Sequence, residues 1–112
     1  MEITLQIIDN ETLQAKSKVY SIPFIGAGQL LDLWEFEEGI ENEKSLTVKD
    51  FKGYARVISN AFLNQFSAEE FLSGVPSYEL IPTIRKFIQE AGTNPHADKQ
   101  GIFEGKNQKT AK

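Results

Sequence analysis

His96 is the only imidazole in the sequence, so acid–base chemistry near neutral pH would run through it or through a perturbed carboxylate. It lies between Pro95 and Ala97 in a polar stretch with little to hold a ring in place, and Asp98 two residues on does not make a catalytic dyad with it. Glu35 and Glu38, three residues apart, share a helix face and could face one divalent ion. All-carboxylate pairs at that spacing are ordinary on solvated helices. Glu69 and Glu70 are adjacent and do not share a face. Gly26 and Gly28 in PFIGAGQ lack both the G-x-G-x-x-G spacing and the Lys and Ser/Thr of a phosphate loop, so they read as a turn. The absence of Cys removes disulfides, thiolate chemistry and Cys-ligated metals and suits a reducing cytosol. The expectation is a protein with no catalytic residues, no cofactor and no metal, hence not an enzyme.

The remaining chemical capital is apolar and aromatic: eight Phe, three Tyr and one Trp in 112 residues. Residues 3 to 8 alternate, with Ile3, Leu5 and Ile7 on one face, and Asp9 to Glu11 form a turn. The run from Leu13 to Ile22 alternates less cleanly, which predicts a hairpin whose second strand is irregular or bulged. A two-stranded hairpin is marginal in water, so its apolar face must pack on helices or on another subunit. Helical spacing predicts a first helix over 27–38, with Leu30, Leu33, Trp34 and Glu37 in line, Leu31 widening the apolar face and Gly39 as the stop. A second, central helix is predicted over 48–65, opened by Thr47 and Asp50, with Gly53 allowing a close crossing. Ser67 and Glu70 form a capping box, and Phe66 and Phe71 a hydrophobic staple, for a short helix ending near Ser73 and Gly74. Pro76 opens the next segment, Pro82 imposes a bend or a fresh helix start, and Ile84, Phe87, Ile88 and Ala91 line the last helix before Gly92. The predicted fold is α+β: an N-terminal β-hairpin followed by a bundle of three to four helices, with one domain at 1–92 and a flexible, mildly basic C-terminal tail at 93–112.

Charge narrows the partner. The whole chain carries −4, which offers no general attraction to a phosphate backbone. Residues 1–92 hold eight basic and fourteen acidic groups, and residues 93–112 hold four basic and two acidic groups. Between Asp32 and Glu43 every charged residue is acidic. No run approaches the length of a membrane span, and the start MEITLQIIDNE lacks the pattern of a signal peptide. Nucleic acid and membrane are therefore not expected partners. Trp34, Phe36, Phe24 and Ile25 are hard to bury together, because Phe36 projects away from the Leu30, Leu33 and Trp34 stripe. Either they form a second satisfied side of the same core, or one of these faces is left for another chain, with Trp34 as the anchor.

The order of features resembles the small tail assembly chaperones of long-tailed phages and prophages of Gram-positive bacteria. The likeness is densest in AFLNQFSAEEFLSGVPSYELIPTIRKFIQE, residues 61 to 90, where AFLNQF, SAEEFLSGV and ELIP are similar to that family's helix end, short polar-capped helix and Pro-opened final helix. With ITLQI and PFI it covers roughly residues 2 to 92. The resemblance implies a non-enzymatic helper made in the host bacterial cytoplasm and absent from the mature virion, whose copies shield the tape measure protein until tail tube subunits polymerise. It also implies a short form alongside a frameshifted long form that recruits tail tube protein. Joined to the reading of the residues, it makes Phe24, Ile25, Leu30, Trp34, Phe36 and Ile40 candidate contacts for the tape measure protein. Phe71 and Leu72, with the hairpin edges, become candidate contacts in a homo-oligomer. The competing readings are a small tail or head completion protein that stays in the particle, and an acidic regulator that occupies the site of a DNA-binding protein.

Overall fold

The alternation at the start of the chain folds into an antiparallel hairpin of β1 (Glu2–Ile8) and β2 (Ala15–Ser21) in the computed structural model, which describes residues 1–92. The register runs without interruption from Glu2 opposite Ser21 to Ile8 opposite Ala15. The second strand is thus regular rather than bulged. Its pattern misleads because β2 is almost wholly exposed and only Tyr20 on it is half-buried. Residues opposite one another share a face, so Ile3 and Leu5, both buried, lie beside Tyr20 and Lys18. Ile7, expected to join them, is half exposed. The turn is tied by the Asp9 carboxylate, which accepts from the Glu11 amide at 2.8 Å, and it places Leu13 in a left-handed conformation at φ 60°.

Four helices follow: α1 (Ala27–Glu38), α2 (Val48–Ala61), α3 (Ala68–Gly74) and α4 (Leu80–Ala91), the last entered through a single 3-10 turn at Ser77–Glu79. The hairpin and four helices match the predicted class. Both capping boxes are made. Thr47 accepts from the Asp50 amide at 3.2 Å while Asp50 accepts from the Thr47 amide at 2.8 Å, and Ser67 and Glu70 repeat the exchange at 3.0 and 2.8 Å. The staple is present too, with the Phe66 and Phe71 rings stacked at 6.1 Å.

α2 stops four residues short of the predicted end. Leu63 and Asn64 both take left-handed φ, near 57° and 60°, and the Ser59 hydroxyl, inside the last turn, donates to the Phe66 carbonyl at 2.6 Å. That turn lets Gln65 donate from its side-chain amide to the Ser21 carbonyl at 3.0 Å, tying the helix junction to β2. Pro82 falls in the first turn of α4, where its missing N–H has no partner to lose, so the chain starts a new helix there. One core joins all elements, built on Leu33, Tyr54, Ile58, Phe62, Phe66, Phe71, Ile84 and Phe87. Gly74 brings α3 against β1: a Cβ there would stand 2.9 Å from Leu5 Cβ and 3.0 Å from the Gln6 carbonyl oxygen. The tail expected at 93–112 lies outside the described residues.

Candidate interaction surface

α1 carries Leu30, Trp34 and Phe36, with Phe24 and Ile25 just before it and Ile40 just after, and its packing sorts them. Leu33 and Glu37, four apart, form the buried centre of the helix. Glu37 keeps its place inside because the Tyr54 hydroxyl donates to its carboxylate at 2.9 Å. Burial, and then the charge of Glu37, push the Tyr54 phenol far above its ordinary range. The two flanks of the helix differ. On one, Phe36 lies across α2 at Gly53, where any Cβ would overlap its ring, and meets Tyr54 edge-on at 4.9 Å. Beside it runs a groove of about 500 Å³, lined by Glu35, Glu41 and Asp50 together with Lys49 and Arg56, which makes it mixed in charge.

On the other flank, Trp34 and Leu30 are half-buried, and the indole N–H of Trp34 donates to the Gly92 carbonyl at 3.1 Å, joining α1 to the end of α4. Leu31, next on the helix surface to Trp34, is 59% exposed. Phe24, two residues before the Gly26 cap of α1, is 73% exposed, and Ile25 after it is half-buried. Asp32, Glu35 and Glu38 of α1 are exposed around these groups.

Two expected contacts drop out. Ile40 is 4% exposed and Phe71 is fully buried, so neither offers area to a partner. Ile40 turns back under the end of α1 after the Gly39 cap, and Phe71 is consumed by the staple with Phe66. Leu72 is half-buried. Leu31 stands out on the surface more than its place in the sequence analysis allowed. Its helical offset from Leu33 and Glu37, the buried pair, was the available signal. Exposed apolar side chains also occur on the hairpin at Ile7, Ile8, Leu13 and Val19, and singly at Val48, Leu63, Tyr78 and Ile81, where single exposed residues are normal on a surface.

Among the described residues no group of His, Asp and Glu is placed to hold a metal, and no helix is long and apolar enough to cross a membrane. What the arrangement can do is bind: an acidic helix presents large apolar side chains that its own core leaves uncovered.

No curated protein and no solved structure matches the chain. A family model does, described as phage tail chaperone protein, and it aligns with residues 1–108. The matched stretch contains the hairpin, all four helices and the exposed flank of α1, and a chaperone acts by holding other proteins rather than by catalysis. By that match over nearly its whole length, the chain belongs to the phage tail chaperone proteins.

Proposed function

We propose that the chain shields the tape measure protein during tail assembly, using the flank of α1 built from Phe24, Ile25, Leu30, Leu31 and Trp34. The observation that carries this reading is the exposure of Phe24 just before α1 and of Leu31 on it, one turn from half-buried Trp34, where the helix is rich in carboxylates. A long amphipathic helix can lay its apolar stripe on such a flank, with basic residues at its margins meeting the acids. Each contact is shallow and so releases readily, while many copies along one client hold it by multivalency. Phe36 serves the same region indirectly, by fixing α1 on α2 at Gly53.

Self-association completes this reading. The hairpin has two strands and hence two outer edges, and Leu72 adds an apolar group on α3, so copies meet through these elements to cover an elongated client. A frameshifted long form brings tail tube protein to the same assembly. The protein works in the host bacterial cytoplasm and leaves before the virion is finished.

Co-expression with the tape measure protein tests the proposal. The expected result is soluble tape measure protein that co-purifies with the chain, and finished particles that lack the chain. Particles that retain it would instead identify a tail or head completion protein.

A further inference from the structure

The end of α4 is anchored on the same flank of α1. The Trp34 indole donates to the Gly92 carbonyl at 3.1 Å, and a Cβ at Gly92 would stand 3.9 Å from Leu30 Cδ1. Gly92 has φ 116° and ψ 142°, a region that side chains larger than hydrogen rarely enter. The direction in which the chain leaves α4 is therefore set by this glycine and by Trp34. It leaves beside Leu30 and Trp34, on the helix that also carries exposed Leu31, and from 27 to 43 this helix and the loop after it carry six carboxylates and no Lys or Arg.

The sequence beyond Gly92 has the complementary chemistry. Lys99, Lys106, Lys109 and Lys112 outnumber Asp98 and Glu104, and Ile102 and Phe103 are its large apolar pair. Ile102 stands ten residues beyond Gly92, enough to span about 33 Å when extended, while a 12-residue helix such as α1 is about 18 Å long. The pair can therefore reach any point of α1. The family match also continues to residue 108, so most of this segment belongs to the shared sequence.

We propose that residues 93–112 dock on α1 of their own chain, with Ile102 and Phe103 seated on Leu30, Leu31 and Trp34 and the lysines over the acidic side of the helix. The segment is then the resident occupant of a surface that a client must take by displacing it. Only this last consequence rests on the tape measure reading; the docking stands on the position of Gly92, the charges and the reach.

Trp34 is the only tryptophan in the chain, so its acrylamide quenching reports on the surface directly. The test compares the full chain with an Ile102→Asp/Phe103→Asp variant, whose changes lie outside the described fold; circular dichroism checks that its helices are intact. Quenching should rise about twofold in the variant as a covering apolar pair leaves the indole. Wild-type quenching should rise toward the same value as salt goes from about 0.05 to about 0.5 M and the lysine contacts are screened. Equal quenching of the two chains overturns the docking. Protection that increases with chain concentration overturns it as well, because the occupant then comes from a neighbouring copy. With docking established, the variant should bind tape measure protein more tightly; unchanged affinity overturns the competition alone.

Discussion

Tyr54 and Glu37 show how a single pair of side chains lets an acidic helix pack inward. A buried carboxylate is costly unless it is hydrogen-bonded, and the phenol at 2.9 Å supplies a donor from α2. Removing it with Tyr54→Phe should cost about 1–3 kcal/mol at neutral pH, measured by urea unfolding, because Glu37 then loses a partner inside the core. The same contact has a sign in pH. The folded phenol titrates above its ordinary range, whereas the unfolded one ionises near pH 10. Its stabilising contribution is therefore complete below about pH 10 and declines as pH rises beyond that. Tyr54→Phe should flatten that part of the alkaline decline between about pH 9 and pH 11. A variant that loses stability as steeply as the wild type would place the decline elsewhere. Leu13 makes the opposite case: it is 77% exposed and held at φ 60°. Leu13→Gly should stabilise the protein by about 1 kcal/mol, read as a higher urea midpoint, since a left-handed conformation strains a branched side chain and little packing is lost.

At the scale of elements, the legible parts of the sequence were those with local chemistry. The two capping boxes and the Phe66 and Phe71 staple set where α2 and α3 begin, and these contacts join residues three to five apart. The end of α2 was not legible in the same way. Apolar spacing continued to Gln65, but Leu63 and Asn64 adopt left-handed φ because Ser59, Phe66 and Gln65 find better partners in a tight turn than in a longer helix. One of those partners, the Ser21 carbonyl on β2, comes within reach only once the fold has closed. Gly74 is a similar case. Helix propensity favours Ala there by about 1 kcal/mol, yet a Cβ would press on Leu5 and on the Gln6 backbone of β1. Gly74→Ala should therefore lower stability by about 1–3 kcal/mol in thermal or urea unfolding, because strand backbone cannot yield as a flexible side chain can. A stabilised Gly74→Ala variant would show that α3 does not approach β1 this closely. Within residues 61 to 90, where the family likeness is densest, the part from Asn64 to Pro82 thus owes much of its character to structural need: a tight turn, a capping box, a staple, a close approach and a proline in a first turn.

For the whole molecule, the sequence indicated that apolar surface was in surplus but not how it is shared out. Phe36 projected away from the main stripe, as its spacing required, and that direction leads onto α2 at Gly53. Ile40 went into the core because the loop after Gly39 turned it inward, which a helical projection does not contain, whereas Phe71 is buried by the staple with Phe66 that the sequence already signalled. Phe24 and Leu31 remained outside. The resulting protein has a filled core, an acidic helix with an uncovered apolar flank, and a C-terminal segment that starts on that flank at Gly92. Such a layout suits a chaperone whose task is to hold and release. The buried core keeps the fold independent of any bound protein.

Phe24 and Leu31 are exposed enough to be replaced without disturbing the core, which makes the double variant Phe24→Asp/Leu31→Asp the most direct probe of the central claim. Titrating purified tape measure protein with the wild type and with this variant, at equal helicity by circular dichroism, should show affinity reduced at least about tenfold in the variant, as expected for removing two apolar anchors from one contact. Equal affinity for the two chains would contradict the account, because the client would then be held by some other face of the molecule.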